Sequence, residues 1–301
     1  MKKLLLPLCF FPATLLAQEG NLDSLMGATQ PPAGREYVSG TFKGTRIINL
    51  QSVEKAAPGT LQFLIQHRFG AVNGGGYEFF GLDQATIRLG LEYGLNRTVA
   101  IGIGRSSLEK NYDAYSKITV LRQAPGASPV TVAYFGSVVY RGVREATKAR
   151  NTATARTSYT QQLLVARKVT DRFSIELVPT FIHKNRVPAR LDPNDYYAIG
   201  LGGRYKLTKR LSLNAEYIDR VATGNTAAPA YTGFHNSFSV GVDIETGGHV
   251  FQLHVSNSLS MLEKGFITES SESWGNGGVH FGFNISRDFA LGRGKKSKKT
   301  W

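Results

Sequence analysis

The sequence has almost no cysteine and few acidic residues. Its single cysteine, Cys9, lies close to the first residue, so the rest of the chain cannot form an internal disulfide. A small disulfide-stapled scaffold is therefore excluded. Beyond the first residues, no stretch approaches the roughly 18 consecutive apolar residues of a transmembrane helix, so no helical membrane span is predicted. Acidic residues number 22 against 36 lysines and arginines, which gives a formal net charge of +14.

The first residues have the pattern of a secretory signal peptide. Lys2 and Lys3 form a positive start, an apolar run follows at 4–16, and Leu15-Leu16-Ala17 provides a cleavage site. Lipidation at Cys9 is not expected, because a leucine rather than a small residue precedes it. We therefore predict an exported protein whose mature chain contains no cysteine.

Apolar and polar residues alternate along most of the remaining chain. In the run AIGLGGRYKLTKRLSLNAEY, Ile199 and Leu201 share one face, and Gly200 and Gly202 share the other. The alternation resumes after a turn at 207–209, which is the pattern of a β-hairpin. We predict no helix, and strands at 43–53, 60–69, 85–93, 98–106, 114–123, 129–142, 156–168, 173–183, 196–206, 211–219, 236–245, 249–258 and 278–288.

The predicted connections alternate between short and long. The short ones are 94–97, 124–128, 169–172, 207–210 and 246–248. The long ones are 70–84, 107–113, 143–155, 184–195, 220–235 and 259–277. Outer-membrane barrels have short periplasmic turns and long external loops, whereas a soluble sandwich has no reason to place every long loop at one end. The glycine-rich polar face also suits a narrow barrel interior. Aromatic residues of the apolar face, most of them near short turns, resemble half of an interfacial girdle: Tyr93, Phe173, Tyr205 and Tyr217.

Strand number is constrained by parity. A chain that begins and ends at the periplasmic end needs an even number of strands. The segments from 60–69 to 278–288 number twelve, and 43–53 would be an odd thirteenth. We therefore predict an all-β fold, a single antiparallel up-and-down transmembrane β-barrel of about twelve strands, with fourteen as the alternative. The segment 41–53 is expected either to run inside the lumen or to pair outside the closed ladder.

Eight runs of the sequence carry a resemblance to a known family: TFKGTRIINLQSVE, YEFFGLDQATIRLGLEYG, IGIGRSSLEKNYD, QLLVARKV, IGLGGRYKLTKRLSLNAEY, IETGGHVFQLHVSNS, EKGFITE and FGFNISR. Together they are similar to an uncharacterised outer-membrane β-barrel family, a domain of unknown function found mainly in Bacteroidetes. The similarity spans about residues 41–289. It implies an outer-membrane barrel but no established activity, and it assigns no functional residues.

The predicted organisation has four parts: a signal peptide at 1–17, a linker at 18–40, the barrel at 41–289 and a basic tail at 290–301. Outer-membrane lipid is the expected partner, and a small solute is a further candidate. An envelope partner at the long loops or the basic tail also stays open. Nucleic acid is not expected, because the chain is exported and has no recognisable binding module. No cofactor is expected, and the six histidines lack metal-ligand spacing, so no metal site is predicted.

Eight charged or imidazole side chains are candidates for lining the lumen: Arg88, Glu92, Glu176, Arg204, Glu216, Asp243, His254 and His280. Two interpretations of the six charged ones stay open. They form an internal ion-pair network that holds a narrow barrel, or they select a solute.

One pair resembles a catalytic motif. His254 and Ser256 share a strand face, as in the His-x-Ser arrangement of outer-membrane phospholipases. Here they fall on the predicted lumen face, whereas that family acts at the lipid-facing surface. Thr268 also stands where that arrangement needs an orienting asparagine. We therefore predict no catalytic residues and no enzyme activity.

Three functional hypotheses remain. The first is a narrow passive channel or transporter for a small solute. The second is a structural or partner-docking barrel, and the third is a lipid-modifying enzyme. Fold alone does not decide between them.

Membrane residence gives a first test. Detergent-folded protein is expected to migrate anomalously on unheated gels, because a closed ladder without edges resists unfolding by detergent. Heating should restore the mobility of an unfolded 32.9 kDa chain. Recovery of the chain as a soluble, monodisperse periplasmic protein would contradict the prediction.

Overall fold

The computed structural model describes residues 36–144, 151–187, 192–222 and 232–291. Within these ranges, twelve antiparallel strands form one closed barrel, and the first strand pairs with the last. The strands are β1 Thr60–Ala71, β2 Ala85–Gly94, β3 Val99–Ser106, β4 Tyr112–Leu121, β5 Thr131–Tyr140, β6 Thr157–Lys168, β7 Phe173–Lys184, β8 Asp195–Lys206, β9 Leu211–Val221, β10 Ser237–Thr246, β11 His249–Ser256 and β12 His280–Ala290. The predicted all-β barrel of twelve strands is confirmed, and the alternative of fourteen is wrong.

The period-2 pattern determines which way each side chain faces. On β8, Ile199 and Leu201 are each 47% exposed, whereas Ala198 and Arg204 on the opposite face are buried. Every strand pairs on both sides, so the buried face is the barrel interior and the exposed apolar face is the outer wall. Aromatic rings of the outer wall lie near both ends: Phe173 beside Tyr205 at one end, and Tyr112, Tyr159 and Tyr197 towards the other.

The connections define two ends of the barrel. Those at the end we call the short-turn end are 95–98, 122–130, 169–172, 207–210 and 247–248. Those at the opposite, long-loop end are 72–84, 107–111, 141–156, 185–194, 222–236 and 257–279. The predicted alternation fails at one place, since 122–130 is longer than 107–111. There β4 ends two residues earlier and β5 begins two residues later than predicted, and a bridge between Ala124 and Ser128 closes a small turn.

Residues 41–58 form a hairpin inside the barrel, which we call the luminal hairpin. Its legs meet at an antiparallel bridge between Arg46 and Gln51. It bonds to inward-facing side chains of strands around the whole wall, among them β1, β2, β4, β7, β9 and β12. The segment 43–53 is therefore not a wall strand. Of the two positions expected for 41–53, the structure shows the one inside the lumen.

Both legs of the luminal hairpin leave the barrel at the short-turn end. On one leg Lys43 pairs with Glu245, close to the 247–248 turn. On the other leg Pro58 forms a bridge with Gly94, at the end of β2. The hairpin thus enters and leaves through the same opening.

Glycines of the wall provide the space for the hairpin. A Cβ atom added to Gly200 would lie 3.0 Å from both Cδ atoms of Leu50, and one added to Gly202 would overlap the Cδ1 atom of Ile47. These two glycines lie on the inner face of β8. Their role is to admit the hairpin, rather than larger wall side chains from across the lumen.

A short helix was not expected from the sequence. Helix α1, Glu263–Thr268, lies in the 257–279 connection, and all six of its residues are buried. Six residues are too few to show a helical period, so the sequence pattern could not indicate it. The length of this connection had suggested a wholly external loop. Part of it, helix α1, is instead buried.

The hairpin and α1 pack against an apolar part of the inner wall. Phe42, Ile47 and Leu50 of the hairpin and Phe266 of α1 join one buried cluster with residues of β5 to β9. The wall members of this cluster are Ala133, Phe135, Leu164, Ala166, Val178, Ile182, Tyr196, Ala198 and Ile218. Within the described residues, no helix is both long and apolar enough to cross a membrane.

Substitution at Gly202 tests the fit of the hairpin. Gly202→Val would occupy the space of Ile47, and overpacking of this kind costs about 1–3 kcal/mol. We expect a closed, heat-modifiable barrel whose hairpin is cleaved by trypsin after Lys43, Arg46 or Lys55 more readily than in the wild type.

The neighbouring position supplies a matched control. Gly203 faces outward, and the nearest atom to an added Cβ is 3.9 Å away. Gly203→Val should leave the trypsin pattern unchanged. Equal protection of the hairpin in both variants would contradict the proposed fit.

Candidate functional site

The tip of the luminal hairpin is held by one carboxylate of the wall. Glu216 on β9 accepts hydrogen bonds from three consecutive backbone amides: Oε2 from Ile48 at 3.1 Å and Leu50 at 3.0 Å, and Oε1 from Asn49 at 2.8 Å. Glu216 is 1% exposed. A buried carboxylate needs such donors to offset its lost hydration, and unpaired buried amides need an acceptor. Each group therefore satisfies the other.

Two more wall carboxylates hold the outgoing leg. Glu176 on β7 accepts from the amide of Val53 at 3.0 Å, and Glu92 on β2 accepts from that of Ala56 at 2.7 Å. The second oxygen of Glu92 accepts from the Tyr115 hydroxyl at 3.0 Å. The leg is thus fixed to opposite sides of the barrel.

Cations of the wall hold the hairpin carbonyls. Lys117 on β4 donates to the carbonyls of Thr45, at 3.0 Å, and Glu54, at 2.8 Å. Arg204 on β8 donates to that of Thr41 at 3.3 Å. Charge-assisted hydrogen bonds are stronger than neutral ones, so these contacts fix the position of both legs.

The side chain of Asn49 completes the tip. Its Oδ1 atom accepts from Arg68 at 2.7 Å, and its Nδ2 atom donates to Ser239 at 3.0 Å and Ser256 at 3.3 Å. Arg68 lies on β1, Ser239 on β10 and Ser256 on β11. One asparagine therefore connects three strands of the polar part of the wall.

The hairpin also bonds to the loop that carries α1. Arg46 forms an ion pair with Glu263 at 3.0 Å, and Gln51 donates to the same carboxylate at 2.9 Å. Both ion-pair partners are almost fully buried. The hairpin rises from the short-turn end and α1 descends from the long-loop end, so this contact joins two obstructions of the lumen.

Ion pairs anchor α1 at the long-loop end. Lys264 pairs with Glu109 at 2.7 Å, and Glu269 pairs with Lys184 at 2.7 Å and with Lys264 at 3.7 Å. Burial alone would raise the pKa of the Glu269 carboxyl, but the two ammonium groups lower that pKa to about 2. Burial likewise opposes the charge of Lys264, yet Glu269 and Glu109 raise its pKa above the ordinary value.

The eight predicted lumen residues are all buried on inward faces. Four of them contact the hairpin backbone: Glu92, Glu176, Arg204 and Glu216. Of the other four, Arg88, Asp243 and His280 bond to atoms of the wall, and His254 does not. Arg88 pairs with Asp113, and the distance from its Nε atom to Oδ1 is 3.0 Å. Asp243 accepts a hydrogen bond from Gln252 at 2.7 Å. The Nδ1 atom of His280 lies 2.9 Å from the carbonyl oxygen of Phe69. His254 forms no ring hydrogen bond with any described residue.

The six charged candidates do not form one ion-pair network. Across the described ranges, only Arg88 among them has an ion-pair partner, and that partner is none of the other five. For four of them, peptide groups of the hairpin take the place of opposite charges: Glu92, Glu176, Arg204 and Glu216. The sequence did not indicate these contacts, because no pattern in it shows which segment lies opposite the inward-facing side chains.

His254 and Ser256 share an inward face but are not joined by a hydrogen bond. Ser256 is fully buried, and its Oγ atom is engaged by Ser239 at 2.9 Å and by Asn49. Thr268 bonds to the carbonyl of Lys264 within α1. These contacts give Ser256 a role in holding the hairpin tip.

Several residues of the site were not among the candidates. Arg68 and Lys117 are fully buried cations that contact the hairpin, and Glu263 and Lys264 belong to α1. Alternation along β1 and β4 indicates that Arg68 and Lys117 face inward, so a parity argument could have found them. No comparable signal exists for the α1 residues. In the described part of the chain, no group of three or more His, Cys, Asp or Glu side chains could hold a metal ion.

The sequence of the chain matches a known protein family. Residues 42–289 match the family described as a membrane-bound beta-barrel domain of unknown function. The chain belongs to this family. It is a membrane-bound β-barrel. No curated protein matches the sequence.

Solved structures similar to the chain include bacterial porins. The NanC porin has 8% sequence identity and a TM-score of 0.48, over 76% of this chain and 98% of its own. The KdgM porin has 9% identity and a TM-score of 0.45, over 76% and 99%. Variants of the Rhodopseudomonas blastica porin have 12% identity and TM-scores near 0.33, over 68% of this chain and 55% of theirs.

Acidification should loosen α1. The pKa of Glu269 is about 2 in the docked loop, against an ordinary value of 4.5. A carboxyl with a lowered pKa stabilises the docked state above its ordinary pKa, and that contribution is lost as the pH falls from about 4.5 towards 2. We expect the amides of 263–270 to lose protection from hydrogen exchange over this range, after correction for intrinsic rates.

The Glu269→Gln variant isolates the effect, because it keeps the side-chain shape and removes the charge. Its exchange at 263–270 should be faster at pH 7 and should change little between pH 4.5 and 2.5. An identical pH response in the variant and the wild type would contradict the assignment to Glu269.

Proposed function

We propose that this chain is an outer-membrane channel for a small solute, that it is not an enzyme, and that the luminal hairpin is its gate. The observation that carries the proposal is the topology of the hairpin. Because both legs pass through the short-turn end, near Glu245 and Gly94, the hairpin can withdraw without unthreading the chain. A segment that crossed the lumen from end to end could not do so.

The contacts of the hairpin suit reversible seating. Most of them are hydrogen bonds between wall side chains and peptide groups, and water can replace each partner when the hairpin leaves. The net contribution of one such bond is about 0.5–1.5 kcal/mol, or about 1.5–3 when one partner is charged. The closed state therefore has the lower free energy, but the difference from an open state is small enough for a stimulus to overcome.

Withdrawal of the hairpin would also loosen the second obstruction. It would remove Arg46 and Gln51 from Glu263, and a buried carboxylate without its partners is strongly destabilised. The α1 loop would then gain by moving Glu263 into water. The ion pair thus couples the two obstructions.

The wall is suited to a small channel. Eight strands leave an interior filled by side chains, and sixteen leave an aqueous pore, so twelve strands without the hairpin would enclose a narrow passage. Glu176, Glu216 and Arg204 would then line that passage and face the solute. The exposed apolar outer face and the predicted signal peptide support an outer-membrane location.

Planar-bilayer conductance tests the gate. Wild-type protein should be mostly closed, and deletion of 41–53 should give a larger and more persistent conductance. Glu216→Ala leaves three buried amides without their acceptor, each at a cost of about 1–3 kcal/mol. We therefore expect it to raise the open fraction at least about tenfold, since about 1.4 kcal/mol corresponds to that factor.

Two controls accompany these variants. Asp171→Ala removes a fully exposed carboxylate at the short-turn end and should not change the conductance. Heat-modifiable migration must show that the deletion variant still closes into a barrel. A deletion variant that closes but conducts no better than the wild type would contradict the gate.

A second candidate is a closed barrel that serves as a structural or docking element. The apolar cluster favours it, because Phe42, Ile47, Leu50 and Phe266 are packed as in a permanent core. In this case an envelope partner would bind at the long loops or the basic tail. A well-folded deletion variant without conductance would favour this function over the channel.

A further inference from the structure

A cavity of about 300 Å³ lies at the short-turn end, between the two legs of the hairpin and the wall. The incoming chain contributes Val38, Ser39 and Thr41, and the outgoing leg contributes 53–58. Turns and strand ends of the wall provide the rest. The volume is at the small end of the range for ligand pockets, about 300–1,000 Å³.

Positive charge predominates in this cavity. Lys55, Arg97 and Arg122 line it, and Glu54 is the one carboxylate among its lining residues. The Glu54 carboxylate already accepts from the backbone amides of Thr41, at 2.8 Å, and Phe42. It is therefore partly engaged by the hairpin itself.

The three cations have few competing partners. The Lys55 ammonium donates to the Thr119 hydroxyl at 2.6 Å, and Arg122 stacks over Tyr37 at 4.5 Å. Among the described residues, Arg97 has no ion-pair partner. Burial, followed by the charge of Arg122, lowers the pKa of Lys55. An anion placed among these side chains would offset both effects.

The cavity exists only while the hairpin is seated. Nine of its thirteen lining residues lie between 38 and 58, and only Arg97, Thr119, Arg122 and Thr131 belong to the wall. A ligand that needs both sets of residues binds the seated state and not the withdrawn one. Such a ligand shifts the equilibrium towards the seated state by its differential affinity.

We propose that this cavity binds a small anion bearing phosphate or carboxylate groups, and that the bound anion holds the luminal hairpin in its seat. The binding residues are Lys55, Arg97 and Arg122. The second part rests on the proposed gate and extends it, since it names the chemical class that keeps the channel closed.

Calorimetric titration of the detergent-folded full chain tests the site. Pyrophosphate and citrate are the probes, which distinguish phosphate from carboxylate chemistry, and glucose is the neutral control. At least one of the two anions should bind with one site per barrel and with an affinity that falls as salt rises. Absence of binding by both anions would overturn the proposal.

Three variants locate the site. Lys55→Gln and Arg97→Gln should each weaken binding about tenfold or more, because each removes a charge-assisted hydrogen bond. Arg97 lies in an exposed turn, so its variant should fold even if Lys55→Gln does not. Arg172→Gln, at another exposed short turn, should bind like the wild type. Equal weakening in all three variants would show general charge attraction and would overturn the site.

Conductance separates the site from the gate. The anion that binds should lower the open fraction of wild-type barrels and leave the 41–53 deletion unaffected. Binding by a barrel that conducts in no variant would support the site and overturn its role at the gate. A conducting deletion variant, with no anion bound by the wild type, would overturn the site alone.

Discussion

The arrangement of the lumen depends on the bond between three peptide amides and the Glu216 carboxylate. A hairpin tip in a closed barrel cannot pair its amides with another strand, and a carboxylate on the inner wall has no water to solvate it if the lumen is filled. Either group alone would be costly to bury. The hydrogen bonds between them offset both desolvation costs. Glu176 and Glu92 accept hydrogen bonds from backbone amides of the outgoing leg in the same way.

The two kinds of contact in the lumen have different effects. The wall from β5 to β9 offers an apolar surface, against which Leu50 and Phe42 pack. On these same strands and around the rest of the circumference, polar side chains such as Glu216, Arg68 and Lys117 bond to individual atoms of the hairpin. Apolar packing is non-directional and favours a filled lumen, whereas directional polar bonds select one position for the segment that fills it.

The barrel could be predicted from the sequence because a single rule repeats in every strand. Alternation identifies each wall segment, and parity favoured twelve wall strands without 43–53 over the alternative of fourteen. Neither rule identifies the partners of the segment inside, because Glu216 lies 166 to 168 residues from the amides that it accepts. Gly200 and Gly202 were a signal of close approach, but alternation could not show whether wall or hairpin side chains would fill the space. Helix α1 is shorter than the window in which a helical period can be recognised.

The position of the hairpin next to β1 also bears on how the protein folds. Two residues after the hairpin the chain enters β1, which closes the barrel by pairing with the last strand, β12. The contacts of Asn49 reach across 190 and 207 residues to Ser239 and Ser256. Loop-closure entropy must be overcome before contacts so distant in sequence can form, and this slows folding. The luminal hairpin, the first segment of the barrel domain, therefore reaches its final position only after β10 and β11 are in place. Until then its peptide groups form hydrogen bonds with water.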